Sequence, residues 1–148
     1  MKSRFIKMLL AILGFGSMTT ACFTAEYGCP NADYEVRVGT YTEEGEAIMG
    51  LKVSIVEGAA DTIGLGLTNK YGEYVFKHNG FPERVKVFTI GIDDIDGTAH
   101  LGEFKSESVR HAFAASDLKG GDGNWYSGRA TASYDFHLKE KATEEEQQ

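Results

Sequence analysis

The sequence predicts an all-β protein, a Greek-key sandwich of roughly seven short strands behind an N-terminal signal segment. Three observations predict it. From residue 34 onward apolar and polar residues alternate in short runs, clusters of Gly, Asn and Asp interrupt those runs at close spacing, and no stretch sustains a helical period of apolar residues.

Met1 to Lys7 carries three positive charges, and Met8 to Gly16 (MLLAILGFG) is apolar over about half the length of a bilayer span. Such a segment can engage a translocon but is too short to remain as a transmembrane helix, so residues 1–21 are expected to be removed on export. It ends in Ser17-Met18-Thr19-Thr20-Ala21-Cys22, small residues before a cysteine, which resembles the lipobox of bacterial lipoproteins, with Thr19 where Leu or Val is commoner. The resemblance implies that Cys22 becomes the first mature residue, with diacylglycerol on its sulfur and an acyl chain such as palmitate on its amine. Several acyl chains, at about 0.8 kcal/mol per buried CH₂, hold a protein on a membrane with negligible release. The expected location is then the cell envelope of a Gram-negative bacterium, at the outer membrane. The alternative is ordinary cleavage after Ala21, with Cys22 free to pair with Cys29 in an oxidising compartment.

Residues 22–33 hold Gly28, Pro30 and Asn31 and are expected to be a tether and turn. Strand-like alternation starts at Tyr34, Val36 and Val38 and resumes at Leu51, Val53 and Ile55 after a Glu/Gly turn at 43–46. A Gly/Ala/Asp loop at 58–61 precedes a short strand at Leu65 to Thr68. The turn Asn69-Lys70-Tyr71-Gly72 leads to a strand marked by Tyr74 and Phe76. Val85 to Ile92 (VKVFTIGI) is apolar on both faces in its second half, as expected of an interior strand. Residues 106–115 fit a strand or a short helix and are taken as strand. Ala130, Ala132, Tyr134, Phe136 and Leu138 alternate with polar residues over about ten residues, the clearest strand in the chain. The domain is therefore expected at 34–138, with a polar, disordered tail at 139–148.

Charge narrows the partners. Loss of Lys2, Arg4 and Lys7 leaves 12 basic residues against 22 acidic ones, a formal charge of −10. A surface this acidic repels phosphate backbones, so nucleic acid is not an expected partner, and it also repels anionic headgroups, so a membrane tie should be covalent.

Two stretches carry a resemblance. Gly45-Glu46-Ala47-Ile48-Met49-Gly50-Leu51-Lys52-Val53-Ser54-Ile55, followed by Thr68-Asn69-Lys70-Tyr71-Gly72-Glu73-Tyr74-Val75-Phe76, resembles the carboxypeptidase-regulatory-like, transthyretin-like β-sandwiches over residues 34–92. Ala47 stands where that family commonly has Pro, and Asn69 where it has Asp. The resemblance implies a transthyretin-like or Ig-like sandwich. A narrower one spans most of the chain: the short signal, Cys22, Tyr27-Gly28-Cys29-Pro30, Asp94-Ile95-Asp96-Gly97 and the late Trp125-Tyr126 are similar to a radical-SAM-associated lipoprotein family of Bacteroidetes. It implies a radical SAM enzyme as maturation partner and no particular activity.

Chemistry-bearing groups are few. Asp93, Asp94, Asp96 and Glu103 around Gly97 are the candidate metal ligands, since alternating carboxylates in a Gly-containing loop suit calcium. The EF-hand register places apolar Ile92 at its first position, and flanking helices are missing, so a solvated turn is the simpler expectation and no cofactor is assigned. Trp125 and Tyr126, after a Gly-rich segment expected to be flexible, are the candidate ligand contacts, for a glycan or a protein surface, unless they fold back over the sandwich end. His78, His100, His111 and His137 are scattered, without zinc spacing, and are expected at the surface; no Gly-x-Ser-x-Gly elbow or phosphate loop is present. Cys29, the one possible nucleophile, sits in the tether beside Pro30 and near Glu26, and no reactive role is expected of it. The expected function is a non-catalytic binding or structural module on a lipid anchor. The alternatives are a glycan- or calcium-dependent adhesion module and an enzyme of unknown class.

Overall fold

The computed structural model describes residues 28–59 and 61–141. The signal, Cys22 and most of the expected tether lie outside the described residues, as do residues 142–148 of the tail. The described strands are β1 (Asn31–Thr42), β2 (Lys52–Glu57), β3 (Asp61–Leu67), β4 (Glu73–Gly80), β5 (Val85–Asp93), β6 (Glu107–Ala114), β7 (Lys119–Gly120) and β8 (Tyr126–Leu138), with one 3₁₀ turn at Ala115–Asp117. They form two four-stranded sheets, ordered β4-β1-β8-β7 and β3-β2-β5-β6. The chain changes sheet between β1 and β2, β3 and β4, β4 and β5, and after β6, which gives the sandwich its Greek-key character. Neighbours are antiparallel except β1 and β8, which run parallel.

Alternation explains which faces meet. Tyr34, Val36 and Val38 of β1, Ala130, Ala132 and Phe136 of β8, Val53 and Ile55 of β2, and Phe88, Ile90 and Ile92 of β5 are all buried between the sheets. At one end of this core Tyr34, Phe76 and Phe113 surround Phe88. The Tyr34, Phe76 and Phe113 rings meet it edge-on at 5.8, 6.1 and 5.6 Å between centroids. Strand β5 lies between β2 and β6, the interior place its composition predicts.

Along the β3/β4 side the sheets close through missing side chains. Gly64 and Gly66 face inward, and a Cβ at either position would overlap the Phe76 or the Tyr74 ring. At the far end two threonines staple the loop after β1. The Thr40 and Thr68 hydroxyls both donate to the Ile48 carbonyl, at 2.9 Å each, and the Thr68 hydroxyl accepts from the Leu51 N–H at 3.1 Å. The Asn69 side chain closes the next turn by accepting from the Tyr71 and Glu73 N–H groups, while Gly72 holds φ +73° with its Cα against the Thr40 carbonyl.

Several boundaries differ from expectation. Strand β1 starts at Asn31, inside the segment taken as tether, because Ala32 is fully buried and Asp33 is bonded on both sides. Strand β3 starts at Asp61, within the expected loop, carried by its ladder with β2. Strand β7, two residues long, has no periodicity to reveal it. The first residues of the tail are ordered: Glu140 bridges to Phe104, and the Lys141 N–H donates to the Glu103 carbonyl at 2.7 Å.

Candidate functional site

The parallel register of β1 and β8 sets their first residues, Asn31 and Tyr126, side by side at the end of the sandwich where the chain enters. Asp33 points to the outer face of this sheet, level with Asn79 of β4 and Arg129 of β8. Asn79 Nδ2 donates to Asp33 Oδ1 at 2.9 Å, the Tyr126 hydroxyl donates to Oδ2 at 2.9 Å, and Arg129 Nη2 lies 3.5 Å from Oδ2. The bonds from Asn79 and Tyr126 hold the Asp33 carboxyl below the usual carboxylate range, and the same Asp33 raises the Tyr126 phenol. Asp33, Glu35, Lys77, Asn79 and Arg129 line a shallow groove of about 260 Å³ on this face. Glu35 is closed over by Arg37, whose Nε lies 2.7 Å from its carboxylate and draws its pKa down.

Trp125 stands beside this cluster. Its carbonyl accepts from the Asn31 N–H at 2.8 Å, its ring packs against Gly28, where a Cβ would come within 3.2 Å, and the residue remains 46% exposed. The preceding Gly-rich segment forms a turn in which Asp122 Oδ1 accepts from the Asn124 N–H at 2.8 Å and the Tyr126 N–H at 3.1 Å. Of the two candidate aromatics, Tyr126 is thus half-buried and bonded into the sheet, while Trp125 presents an open face.

The four candidate metal ligands are not brought together. Asp93 pairs with Lys52 at 3.1 Å, and that contact, with Ser106, lowers its pKa. Asp94 is the organiser of the β5–β6 connection: Oδ1 accepts from the Asp96 and Gly97 N–H groups, and Oδ2 from the Phe104 N–H at 2.8 Å. Asp96 bonds His100 Nδ1 at 2.7 Å, which lowers the Asp96 carboxyl, and Glu103 pairs with Lys141 at 2.7 Å. Among the described residues no group of three His, Cys, Asp or Glu side chains is placed to hold a metal ion.

Sequence reasoning missed one cluster. Lys86 occupies an inward position of β5 and is only 4% exposed, with its ammonium bonded to Glu57 and to Glu83 (2.9 Å) and 5.6 Å from the centre of the Tyr34 ring. Burial disfavours the charged amine, but the bonds to Glu57 and Glu83 outweigh it and hold the Lys86 pKa above its usual value. The alternation of β5 was visible, and a lysine in phase with Phe88, Ile90 and Ile92 was the available signal.

The histidines divide unevenly. His100 and His137 are exposed as expected, but His78 and His111 face inward, because their registers set them opposite Tyr34 and Phe88. His111 Nδ1 meets the Tyr134 hydroxyl at 2.6 Å across the two sheets, His137 meets the Thr42 carbonyl, and His78 lies 3.8 Å from Glu57. No serine, threonine or cysteine side chain is their partner among the described residues, so no nucleophile–base pair is formed there. Cys29 is exposed, and Cys22 lies outside the described residues. No helix among the described residues is long and apolar enough to cross a membrane. No protein-family model and no curated protein matches the chain.

Proposed function

We propose that the protein is exported, anchored by lipid at Cys22 to the outer membrane, and presents its sandwich as a non-catalytic binding or structural module. The observation that carries the non-catalytic part is the use of the polar side chains. Asp33, Asp93, Asp94, Asp96, Glu103, Lys86 and all four histidines are tied to partners that shape strands, turns and sheet contacts. The anchor reading is supported by the residues before Cys22 and by the short run of chain between Cys22 and β1. The likeness to radical-SAM-associated lipoproteins adds a radical SAM enzyme as maturation partner, which would leave a mass change beyond acylation. The test is growth with labelled palmitate followed by fractionation: label in the wild-type chain at the outer membrane and none in Cys22→Ala is the expected result. Turnover of a hydrolase substrate panel, abolished by changing one polar residue, would refute the non-catalytic part.

A second reading, glycan contact, is favoured by one feature, the exposed Trp125 ring beside the polar groove at Asp33, Asn79 and Arg129. It predicts a glycan-array signal that disappears in Trp125→Ala.

A further inference from the structure

We infer that the Trp125 end of the sandwich is a membrane-contact face, seated in the headgroup region of a zwitterionic phospholipid bilayer. The inference rests on the lipid anchor proposed above. It goes further in assigning the domain an orientation and a second, non-covalent contact with the membrane.

The topology gathers three exposed apolar side chains at this end. Trp125 immediately precedes β8, Phe81 immediately follows β4, and Val85 opens β5; they are 46%, 59% and 49% exposed. Strands β4 and β8 flank β1, so the Phe81 and Trp125 positions are about 10 Å apart across the sheet. The chain also enters here. Gly28, six residues after Cys22 in sequence, lies directly against the Trp125 ring. Six residue steps separate Cys22 from Gly28, a reach of at most about 20 Å even when fully extended. A lipidated Cys22 therefore keeps this end within about 20 Å of the bilayer.

Indole and phenyl groups favour the bilayer interface, where an apolar ring meets the acyl boundary and a polar edge meets headgroups and water. Charge selects the lipid class. The connections at this end, with the first residues of β3 and β7, carry Arg84 and Lys119 against Asp61, Glu83, Asp117 and Asp122, a slight negative excess that zwitterionic headgroups tolerate and anionic ones repel. Ile95 and Leu101 are also exposed, but they lie in the connection after β5, at the opposite end. The twelve residues of β1 put that end about 40 Å away, beyond the reach of the segment after Cys22.

Trp125 is the single tryptophan of the chain, so its emission reports this face alone. The experiment places the lipidated protein, extracted from its native envelope, in phosphatidylcholine vesicles with plain or brominated acyl chains. An interfacial indole should emit further to the blue than in the unlipidated mature chain and lose at least about half of its emission to bromine. Phe81→Ser should weaken that quenching, and Leu101→Ser at the far end should leave it unchanged. Vesicle-bound protein with equal emission in plain and brominated lipid would overturn the inference, as would equal loss of quenching in both variants, or emission that responds to soluble saccharide and not to vesicles. The intact mass of the same extract reports the anchor separately. If it shows no acyl chains, the Cys29→Ser mature chain coupled through Cys22 to a maleimide phospholipid gives the same quenching readout, so the two readings fail independently.

Discussion

Thr68 shows how much of this fold depends on single polar groups in apolar surroundings. It is 3% exposed, and its hydroxyl both donates to Ile48 and accepts from Leu51, which ties the loop after β1 to the start of β2. Thr68→Val keeps the shape and removes both bonds, so it should lower stability by about 1–2 kcal/mol, read as a lower urea midpoint with an unchanged slope. Lys86 is the sharper case. Lys86→Ala removes the cation between Glu57 and Glu83 and leaves a gap beside Tyr34, and should cost about 2–3 kcal/mol, because uncompensated carboxylates remain at a partly buried site. The wild-type pH dependence follows from the signs. The folded-state pKa of Lys86 is raised, so its contribution is complete below the unfolded lysine value and disappears as pH rises through the folded one. Burial of Tyr34 raises its phenol pKa as well, so the unfolded chain deprotonates first there too, and both effects make stability fall in the alkaline range. Urea midpoints above pH 10 should drop more steeply in the wild type than in Lys86→Met; parallel curves would contradict the assignment.

The strands differ in how far the sequence reveals them. Alternation at Tyr34 to Val38, Leu51 to Ile55 and Ala130 to Leu138 locates β1, β2 and β8 because each sets apolar residues on the core and polar ones on its outer face. The ends are less visible: Asn31 and Asp33 look like loop residues, and only the neighbouring strands β4 and β8 make them strand. For the same reason the bond between Asp33 and Tyr126, residues far apart in sequence, is invisible until β1 and β8 are known to run parallel. Trp125 was legible as a candidate, whereas its contact with Gly28 was not, since a glycine carries no pattern. In β3 the spacing Gly64-Leu65-Gly66 looks like a weak strand, yet the glycines are what let Phe76 and Tyr74 close the sandwich. Gly66→Ala should therefore cost about 1–3 kcal/mol through overlap with the Tyr74 ring. Combined with Tyr74→Ala it should cost less than the sum of the two single changes, because the smaller side chain relieves the overlap; strict additivity in thermal melts would place the ring elsewhere.

At the scale of the whole molecule, the two ends of the sandwich have different characters. The entry end holds Trp125, the Asp33 cluster and the start of β1, while the far end holds the Thr40/Thr68 staple and the Asp94-organised connection, both held by side-chain bonds to the backbone. A lipid at Cys22 would turn the first toward the membrane and leave the second open to the envelope space. Such a polarity suits a module that is held in place and presents a surface, rather than one that gathers reactive groups in a pocket. The central claim, that this sandwich is carried on a lipid anchor, is tested most directly by the intact mass of the protein extracted from its native envelope. The account predicts a chain that begins at Cys22 and carries acyl chains, with any additional shift marking the maturation enzyme. An unacylated chain beginning at Cys22 and lighter by two hydrogens would mean a Cys22–Cys29 disulfide in a protein free of the membrane, and would contradict it.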